Sequence, residues 1–163
     1  SVEALVGAEK RLGLIAEGYA PEAEKRQVRL SLRPVAPELA VEVDASLLDM
    51  ALRNLVENAL AVGRHVTLAA EPVAAPARVG LDGAHPGEGR YVALVVEDDG
   101  PGLPTSARRT EPGVTTRAAG SGLGLAIARR VAERHQGALT MDDVPAGGAR
   151  IALVLPLSPR SPA

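Results

Sequence analysis

Two asparagines, Asn54 and Asn58, lie four residues apart in the segment LRNLVENALAV, residues 52–62. Residues at this spacing share one face of a helix, and here they fall at the edge of an arc of leucine, alanine and valine. A buried amide without a partner costs about 1–3 kcal/mol. An amide oxygen is a ligand that Mg²⁺ accepts, but it can equally cap the backbone of a nearby loop. The pair therefore predicts either a metal ligand or a structural cap.

A second candidate cluster is VVEDDGPGLP, residues 95–104. By the period of two of a strand, Asp98 continues the apolar face formed by Val92, Leu94 and Val96. An ionised carboxylate in an apolar slot needs a donor, and the amino group of an adenine would supply one. Glycines follow at alternate positions, so that a ligand could approach the backbone closely. The alternative is an ordinary turn, because Asp-Gly and Pro-Gly are common turn formers.

The third cluster is GSGLGLAIARR, in which Gly120, Gly122 and Gly124 run into an amphipathic helix. Free amides and the positive end of the helix dipole favour a phosphate at such a position. The pattern is not a P-loop, because no Gly-Lys-Ser/Thr follows, and its glycine spacing differs from the dinucleotide-binding fingerprint. Each glycine in a helix lowers its stability by about 1 kcal/mol relative to alanine, so three of them indicate a functional role.

The bulk composition narrows the class of protein. The chain has 163 residues, a net charge of −2 and no cysteine, which excludes disulfides and thiolate metal sites. No one-sided basic surface is evident, and no apolar run is long enough to span a bilayer. Lysine occurs only at Lys10 and Lys25, so a site that needs a cation must mostly use arginine. We expect a cytoplasmic, monomeric domain without direct contact to nucleic acid or membrane.

The elements that must position these clusters follow from periodicity and from glycine and proline breaks. Asp44 is the expected N-cap of the asparagine-bearing helix, and Gly63 is its expected end. The predicted order is a helix over 1–24, strands over 27–33 and 39–43, a helix over 46–62, a strand over 65–71, a loop over 72–90, a strand over 91–98, a loop over 104–119, a helix over 120–137 and a hairpin over 138–157. Helices on one face of a mostly antiparallel sheet make an α/β two-layer sandwich. One domain over 1–157 and a disordered tail over 158–163 are expected.

Taken together and in order, these motifs resemble the catalytic, ATP-binding domain of bacterial sensor histidine kinases. NLVENA resembles the N box of that family, DDGPGL its first glycine box and GSGLGLAI its second. TEPGVTTR, residues 110–117, resembles the lid of the nitrogen-regulation type of sensor kinase. The resemblance implies a Bergerat fold, a mixed sheet with helices on one face and ATP bound beneath a mobile lid.

The resemblance also implies a role for individual residues. Asn58 would be the Mg²⁺ ligand and would act in catalysis with Asn54 and Arg117, while Asp98 would accept a hydrogen bond from the adenine amino group. The remaining ATP-binding positions would be Gly100, Gly102, Thr116, Gly120, Ser121, Gly122, Leu123 and Gly124. The implied cofactors are ATP and Mg²⁺.

Several positions depart from the family pattern. Ala61 and Val62 stand where a lysine and an aromatic residue are frequent, and Gly113 and Val114 stand where the lid has two phenylalanines. Arg64 or Arg117 could replace the missing lysine. Asp99 takes the place of a frequent asparagine in the first glycine box and adds negative charge near the site.

Other residues separate possible functions. Gyrase-like and Hsp90-like relatives carry a glutamate, the general base for hydrolysis, at the place of Asn54, so we expect ATP to be held for transfer. His65, His85 and His135 do not resemble a phosphoacceptor histidine, so the acceptor would lie on a dimerisation domain outside these residues and pass the phosphoryl group to a response regulator. The alternative is a regulatory nucleotide-binding module, such as an anti-sigma-like switch kinase or a weakly active pseudokinase.

Overall fold

A computed structural model describes residues 3–33, 39–74, 90–103 and 122–159. Most of the loops predicted over 72–90 and 104–119, and most of the predicted tail, lie outside these ranges. The elements in chain order are β1 (Glu3–Gly7), α1 (Ala8–Lys25), β2 (Arg29–Leu32), β3 (Ala40–Asp44), α2 (Ala45–Val62), β4 (His65–Val73), β5 (Tyr91–Asp98), α3 (Gly122–Arg134), β6 (Ala138–Asp143) and β7 (Ala149–Pro156).

Five of the strands form one mixed sheet in the order β2-β4-β5-β7-β6. The β4–β5, β5–β7 and β6–β7 pairs are antiparallel, as the sequence predicts for most pairs. The β2–β4 pair is parallel, with Leu30 opposite Val66. A parallel pair needs a long crossover, and here the crossover contains β3 and α2. The central strand β5 thus has a hydrogen-bonded neighbour on each side and ends at Asp98.

The hydrophobic core lies between one face of this sheet and the three helices. Alternate residues of β5, Val92, Leu94 and Val96, point into it, and Leu52 of α2 and Ala128 of α3 are fully buried there. The leucine and alanine arc of α2 that the sequence predicts is therefore the face that packs on the sheet. This packing confirms the two-layer α/β sandwich.

The other face of the sheet carries small residues and an ion-pair network. Ala69 and Val95 lie opposite each other and are buried. Arg150 of β7 contacts Glu71 of β4 at 2.6 Å, and Glu71 also contacts Arg33 at 3.0 Å. Since β5 lies between β4 and β7, the Arg150 side chain reaches across the central strand.

Near each end of the chain, one prediction differs from the structure. Residues 3–7 were expected to be helical, but they form β1, which pairs antiparallel with β3 in a separate two-stranded sheet, with Val6 opposite Val41. Pairing with a distant strand has overridden the helix propensity of this short segment. Ser158 was expected in a disordered tail, but it is buried and donates a 2.7 Å hydrogen bond to Glu42. The ordered chain therefore extends at least this far.

Candidate functional site

The site begins with α2, whose two ends are fixed by local signals. Asp44 caps the helix as predicted, because its Oδ1 accepts hydrogen bonds from the backbone N–H groups of Ser46 at 3.0 Å and Leu47 at 3.3 Å. At the other end, the N–H of Gly63 donates to the carbonyl of Ala59 at 2.9 Å. The register of α2 is thereby set, and with it the position of both asparagines.

The structure distinguishes the two asparagines. Asn58 is only 8% exposed, and its buried Nδ2 has no hydrogen-bond partner among the residues that the structure describes. Asn54 is partly exposed and lies in a surface groove with Met50 and Arg53. A buried amide that only capped a loop would have its donor satisfied. No described loop accepts a hydrogen bond from Nδ2 of Asn58, so within the described residues this donor is available to a ligand.

Asp98 lies at the end of β5 and is 6% exposed, as the strand periodicity predicts. Its Oδ1 accepts a 2.8 Å hydrogen bond from the N–H of Gly100. The turn interpretation of DDGPGL is thus partly right, because the carboxylate orders its own loop. The same bond fixes the orientation of the carboxylate in the apolar slot at the strand end.

Two glycines allow the end of α2 to press against the loop after β5. A Cβ atom on Gly100 would lie 2.8 Å from the carbonyl oxygen of Val62, and one on Gly63 would lie 3.0 Å from Cβ of Asp98. Real Cβ atoms essentially never lie closer than 3.0 Å to such a neighbour. The first glycine of the box is therefore required by backbone packing as well as by any ligand. The arrangement brings the helix that carries Asn58 into direct contact with the loop that carries Asp98.

Asp99 was expected to add negative charge near the site, but its carboxylate binds the turn after α2. Its Oδ1 accepts hydrogen bonds from the backbone N–H groups of Arg64 at 2.8 Å and His65 at 3.0 Å. The bond from His65, followed by that from Arg64, lowers the pKa of Asp99 below its ordinary value of 3.8. Asp99 is a second link between this turn and the loop after β5.

The end of the same loop is fixed by a residue of β6, the strand at the edge of the sheet beyond β7. Gly102 has φ +88°, a left-handed conformation that favours glycine. The next amide, that of Leu103, donates a 2.9 Å hydrogen bond to Oδ1 of Asp143 at the end of β6. Sequence reasoning missed Asp143, because an Asp-Asp pair at a strand end looks like any solvated turn.

The second glycine box falls at the start of α3. Gly122, Leu123 and Gly124 have helical backbone, and Leu125 and Ala128 bury the inner face of the helix. Arg117, Thr116, Gly120 and Ser121 lie outside the described residues, as do Gly113 and Val114. The structure thus places the beginning of α3, but it does not test the predicted phosphate contacts.

His135, expected to be structural, is buried at the end of α3. Its Nδ1 bonds the carbonyl of Val131 at 2.8 Å, and its Nε2 accepts from the N–H of Asp44 at 3.3 Å. These two bonds require the neutral ring with its proton on Nδ1. The end of α3 is joined in this way to the start of α2. His65 is exposed, and its ring lies 3.4 Å from the hydroxyl of Ser31.

The geometry agrees with comparisons to known proteins. Residues 43–159 match the sequence model of the histidine kinase-, DNA gyrase B- and HSP90-like ATPases. The chain belongs to this ATPase family.

Its relatives include sensor kinases. It is 35% identical over 124 residues to nitrogen regulation protein NtrY of Azorhizobium caulinodans, with 74% of this chain and 15% of the relative covered. It is 39% identical over 131 residues to the two-component sensor PhoQ of Pseudomonas aeruginosa, with 76% of this chain and 26% of the relative covered. The chain therefore spans only a small part of the length of these relatives.

Solved structures show the same fold. Full-length ShkA in complex with AMPPNP superposes with a TM-score of 0.77 at 25% identity, covering 99% of this chain and 33% of that chain. The ATP-binding domain of PrrB from Mycobacterium tuberculosis superposes with a TM-score of 0.70 at 24% identity, covering 97% of this chain and 99% of that chain. Among the described residues, no helix combines the length and the apolar character needed to cross a membrane.

Proposed function

We propose that this chain binds Mg·ATP and donates the γ-phosphoryl group to a histidine on a separate dimerisation domain, as the catalytic domain of a two-component sensor kinase. Family membership and the sensor kinases among its relatives support this proposal. The observation that carries it is the buried Nδ2 of Asn58, unpaired within the described part of the chain, on a helix packed against the Asp98 loop.

Asn58 fits a magnesium ligand. It is buried, it is neutral, and its amide oxygen is of the kind that Mg²⁺ accepts alongside water and phosphate oxygens. Nδ2, which has no partner in the described ranges, could donate to a phosphate oxygen. Bound Mg²⁺ would supply charge neutralisation on the phosphates.

Asp98 would recognise the base. Its buried carboxylate lies at the end of an apolar strand and is oriented by the N–H of Gly100. An adenine amino group donates, so it complements a carboxylate, whereas the carbonyl that guanine carries at the same place would meet another acceptor. We therefore assign selectivity for adenine over guanine to Asp98.

Asn54 favours transfer over hydrolysis. A hydrolytic relative needs a general base near the attacking water, and a neutral amide at this position cannot take a proton. Positioning and charge stabilisation would then carry the reaction, with Arg117 as the proposed cation and with Thr116, Gly120, Ser121 and the first turn of α3 as the proposed phosphate contacts. The phosphorylated histidine would in turn pass its phosphoryl group to a response regulator.

Calorimetric titration with ATP and Mg²⁺ tests the binding site. We expect the parent chain to bind, and we expect Asn58→Ala and Asp98→Ala to abolish measurable binding while urea unfolding remains cooperative. Asp142→Ala, which removes an exposed carboxylate, is the matched control and should bind normally. Parent-like affinity in both site variants would refute the assignment.

A weakly active regulatory module is the second candidate. Ala61 and Val62 stand where the family often carries a lysine and an aromatic residue, and the carbonyl of Val62 lies close to Gly100. Incubation with γ-labelled ATP and an added histidine-bearing dimerisation domain discriminates the two functions. Label on the histidine supports the kinase, whereas nucleotide binding without transfer supports the regulatory module.

A further inference from the structure

The β6–β7 hairpin touches the proposed adenine-binding loop at two points that none of the sequence motifs includes. Its first strand, β6, contains Asp143, whose Oδ1 accepts a hydrogen bond from the Leu103 amide at 2.9 Å. Its turn supplies Gly148, where a Cβ atom would lie 1.9 Å from the carbonyl oxygen of Asp98. The first contact holds the end of the loop, and the second holds its start.

We propose that Asp143 and Gly148 are positioning residues for nucleotide recognition, which set the place of the Asp98 carboxylate by fixing both ends of the loop 98–103. The inference rests on the proposed function, since it assigns a task to residues that contact the loop and not the nucleotide.

The exit of the loop is fixed by both backbone and side chain. Leu103 is 8% exposed and packs with Ala149 and Met141, both of the hairpin. Gly102, with φ +88°, is so near the hairpin that a Cβ atom there would lie 3.1 Å from Oδ1 of Asp143. One carboxylate oxygen thus lies against two consecutive residues of the loop. Loss of this oxygen would free the end of the loop, at Gly102 and Leu103, while most of the hairpin remained in the sheet.

The contact that the hairpin makes with the start of the loop is one of packing at Gly148. Gly148 has φ +108°, and besides the Asp98 carbonyl its Cβ would lie 2.8 Å from Cα of Asp99. Since both neighbours are backbone atoms, a side chain at position 148 must displace β5 or the loop. Such a displacement would move the Asp98 carboxylate directly.

The chain offers a matched control for each position. Asp142 precedes Asp143 and is exposed, so Asp142→Ala removes the same charge without the loop contact. Gly147 precedes Gly148 and has a similar φ of +115°, but a Cβ atom there meets nothing within 4 Å. Gly147→Ala therefore introduces comparable backbone strain without the collision, and the difference between the two alanine variants isolates the contact.

The experiment measures the affinities for ATP and GTP by calorimetry, together with urea unfolding. A positional role alters the ratio of the two affinities, because Asp98 distinguishes the bases, whereas general destabilisation lowers both together. We expect Asp143→Ala to weaken ATP binding about three- to tenfold, the range expected for one lost hydrogen bond, and to reduce the ATP preference. Asp143→Asn keeps an acceptor oxygen and should restore both the ATP affinity and the ATP preference. Gly148→Ala should lose more ATP affinity than Gly147→Ala.

The outcomes separate this inference from the proposed function. Absence of ATP binding by the parent chain would overturn the proposed function itself. Parent-like ATP affinity and base preference in Asp143→Ala, with binding intact in the parent, would overturn only the positioning role. If Gly148→Ala does not fold, the comparison of Asp143→Ala with Asp143→Asn and Asp142→Ala decides the question.

Discussion

The carboxylate of Asp99 accepts a 2.8 Å hydrogen bond from the backbone N–H of Arg64, which ties the loop after the central strand to the turn after α2. A second bond, from the N–H of His65 at 3.0 Å, strengthens the link. Neutral backbone donors favour the ionised carboxylate, so the pKa of Asp99 lies below its ordinary value of 3.8 in the folded protein.

A folded-state pKa below the unfolded value stabilises the protein above pH 3.8, and this contribution is lost as the pH falls through the folded pKa. We expect Asp99→Ala to lower the free energy of unfolding at pH 7 by about 0.5–1 kcal/mol, a small value because the side chain is exposed. Urea unfolding between pH 7 and pH 2.5 measures the difference from the parent, which should shrink below pH 3.8. A difference that stayed constant over this range would contradict the account.

Asn58→Leu should separate stability from binding. The substitution keeps the number and branching of the side-chain heavy atoms and removes the buried Nδ2, which has no partner among the described residues. We expect the free energy of unfolding to rise by about 1 kcal/mol, while ATP binding is lost. Thermal unfolding and calorimetry on the same preparation test both halves, and Asn54→Leu, at a partly exposed position, should not stabilise to the same degree. A lower melting temperature for Asn58→Leu would contradict the expected gain in stability.

Tyr19 of α1 donates a 2.5 Å hydrogen bond to Glu57 of α2. Burial, then the hydrogen bond and the charge of Glu57, raise the pKa of Tyr19 above its ordinary value of 10.0, against a smaller opposing effect of Arg53. Because the folded pKa is raised, the contact contributes fully to the free energy of unfolding below pH 10. This contribution is lost as the pH rises through the folded pKa of Tyr19. In a Tyr91→Phe variant, Tyr19 is the one remaining tyrosine, and its absorbance near 295 nm should report an ionisation midpoint above pH 10. The Glu57→Gln substitution should lower that midpoint, whereas an ordinary midpoint with Glu57 present would refute the contact.

Two glycines outside the site should respond oppositely to alanine. Gly18 is exposed in the interior of α1, and a Cβ atom there meets nothing within 4 Å, so Gly18→Ala should stabilise by up to about 1 kcal/mol. At Gly137, a Cβ atom would lie 1.9 Å from the carbonyl oxygen of Val154, so Gly137→Ala must displace β7 and should destabilise. Urea unfolding of the two variants measures both effects, and equal shifts of the same sign would contradict the packing.

Local signals explain what the sequence predicted correctly. The Asp44 cap, the Gly63 stop and the apolar arc of α2 lie within one continuous segment, and β5 is a short apolar run between turn residues. Residue type and spacing were enough to predict that Asp98 continues an apolar face and is buried, whereas the roles of Asn58 and Asp98 came from the family resemblance and stay predictions.

Non-local pairing explains what the sequence did not predict. β1 was taken for the start of a helix because its partner, β3, lies beyond α1 and β2 in the chain. The link between Leu103 and Asp143 joins positions 40 residues apart, and no periodicity connects them. Likewise, nothing in the two adjacent glycines 147 and 148 shows that one of them meets Asp98 and the other meets open space.

The direct contact of α2 with the loop after β5 bears on the thermodynamics of ligand binding. Since Gly63 and Gly100 leave no gap between the two elements, neither can close further when a ligand arrives. Ordering a side chain on association costs about 0.5–1.5 kcal/mol, and this entropy has already been lost here when the chain folds. On the proposed function, the surface around Asp98 is therefore preorganised, and the affinity for a base would not be reduced by a conformational rearrangement of these two elements.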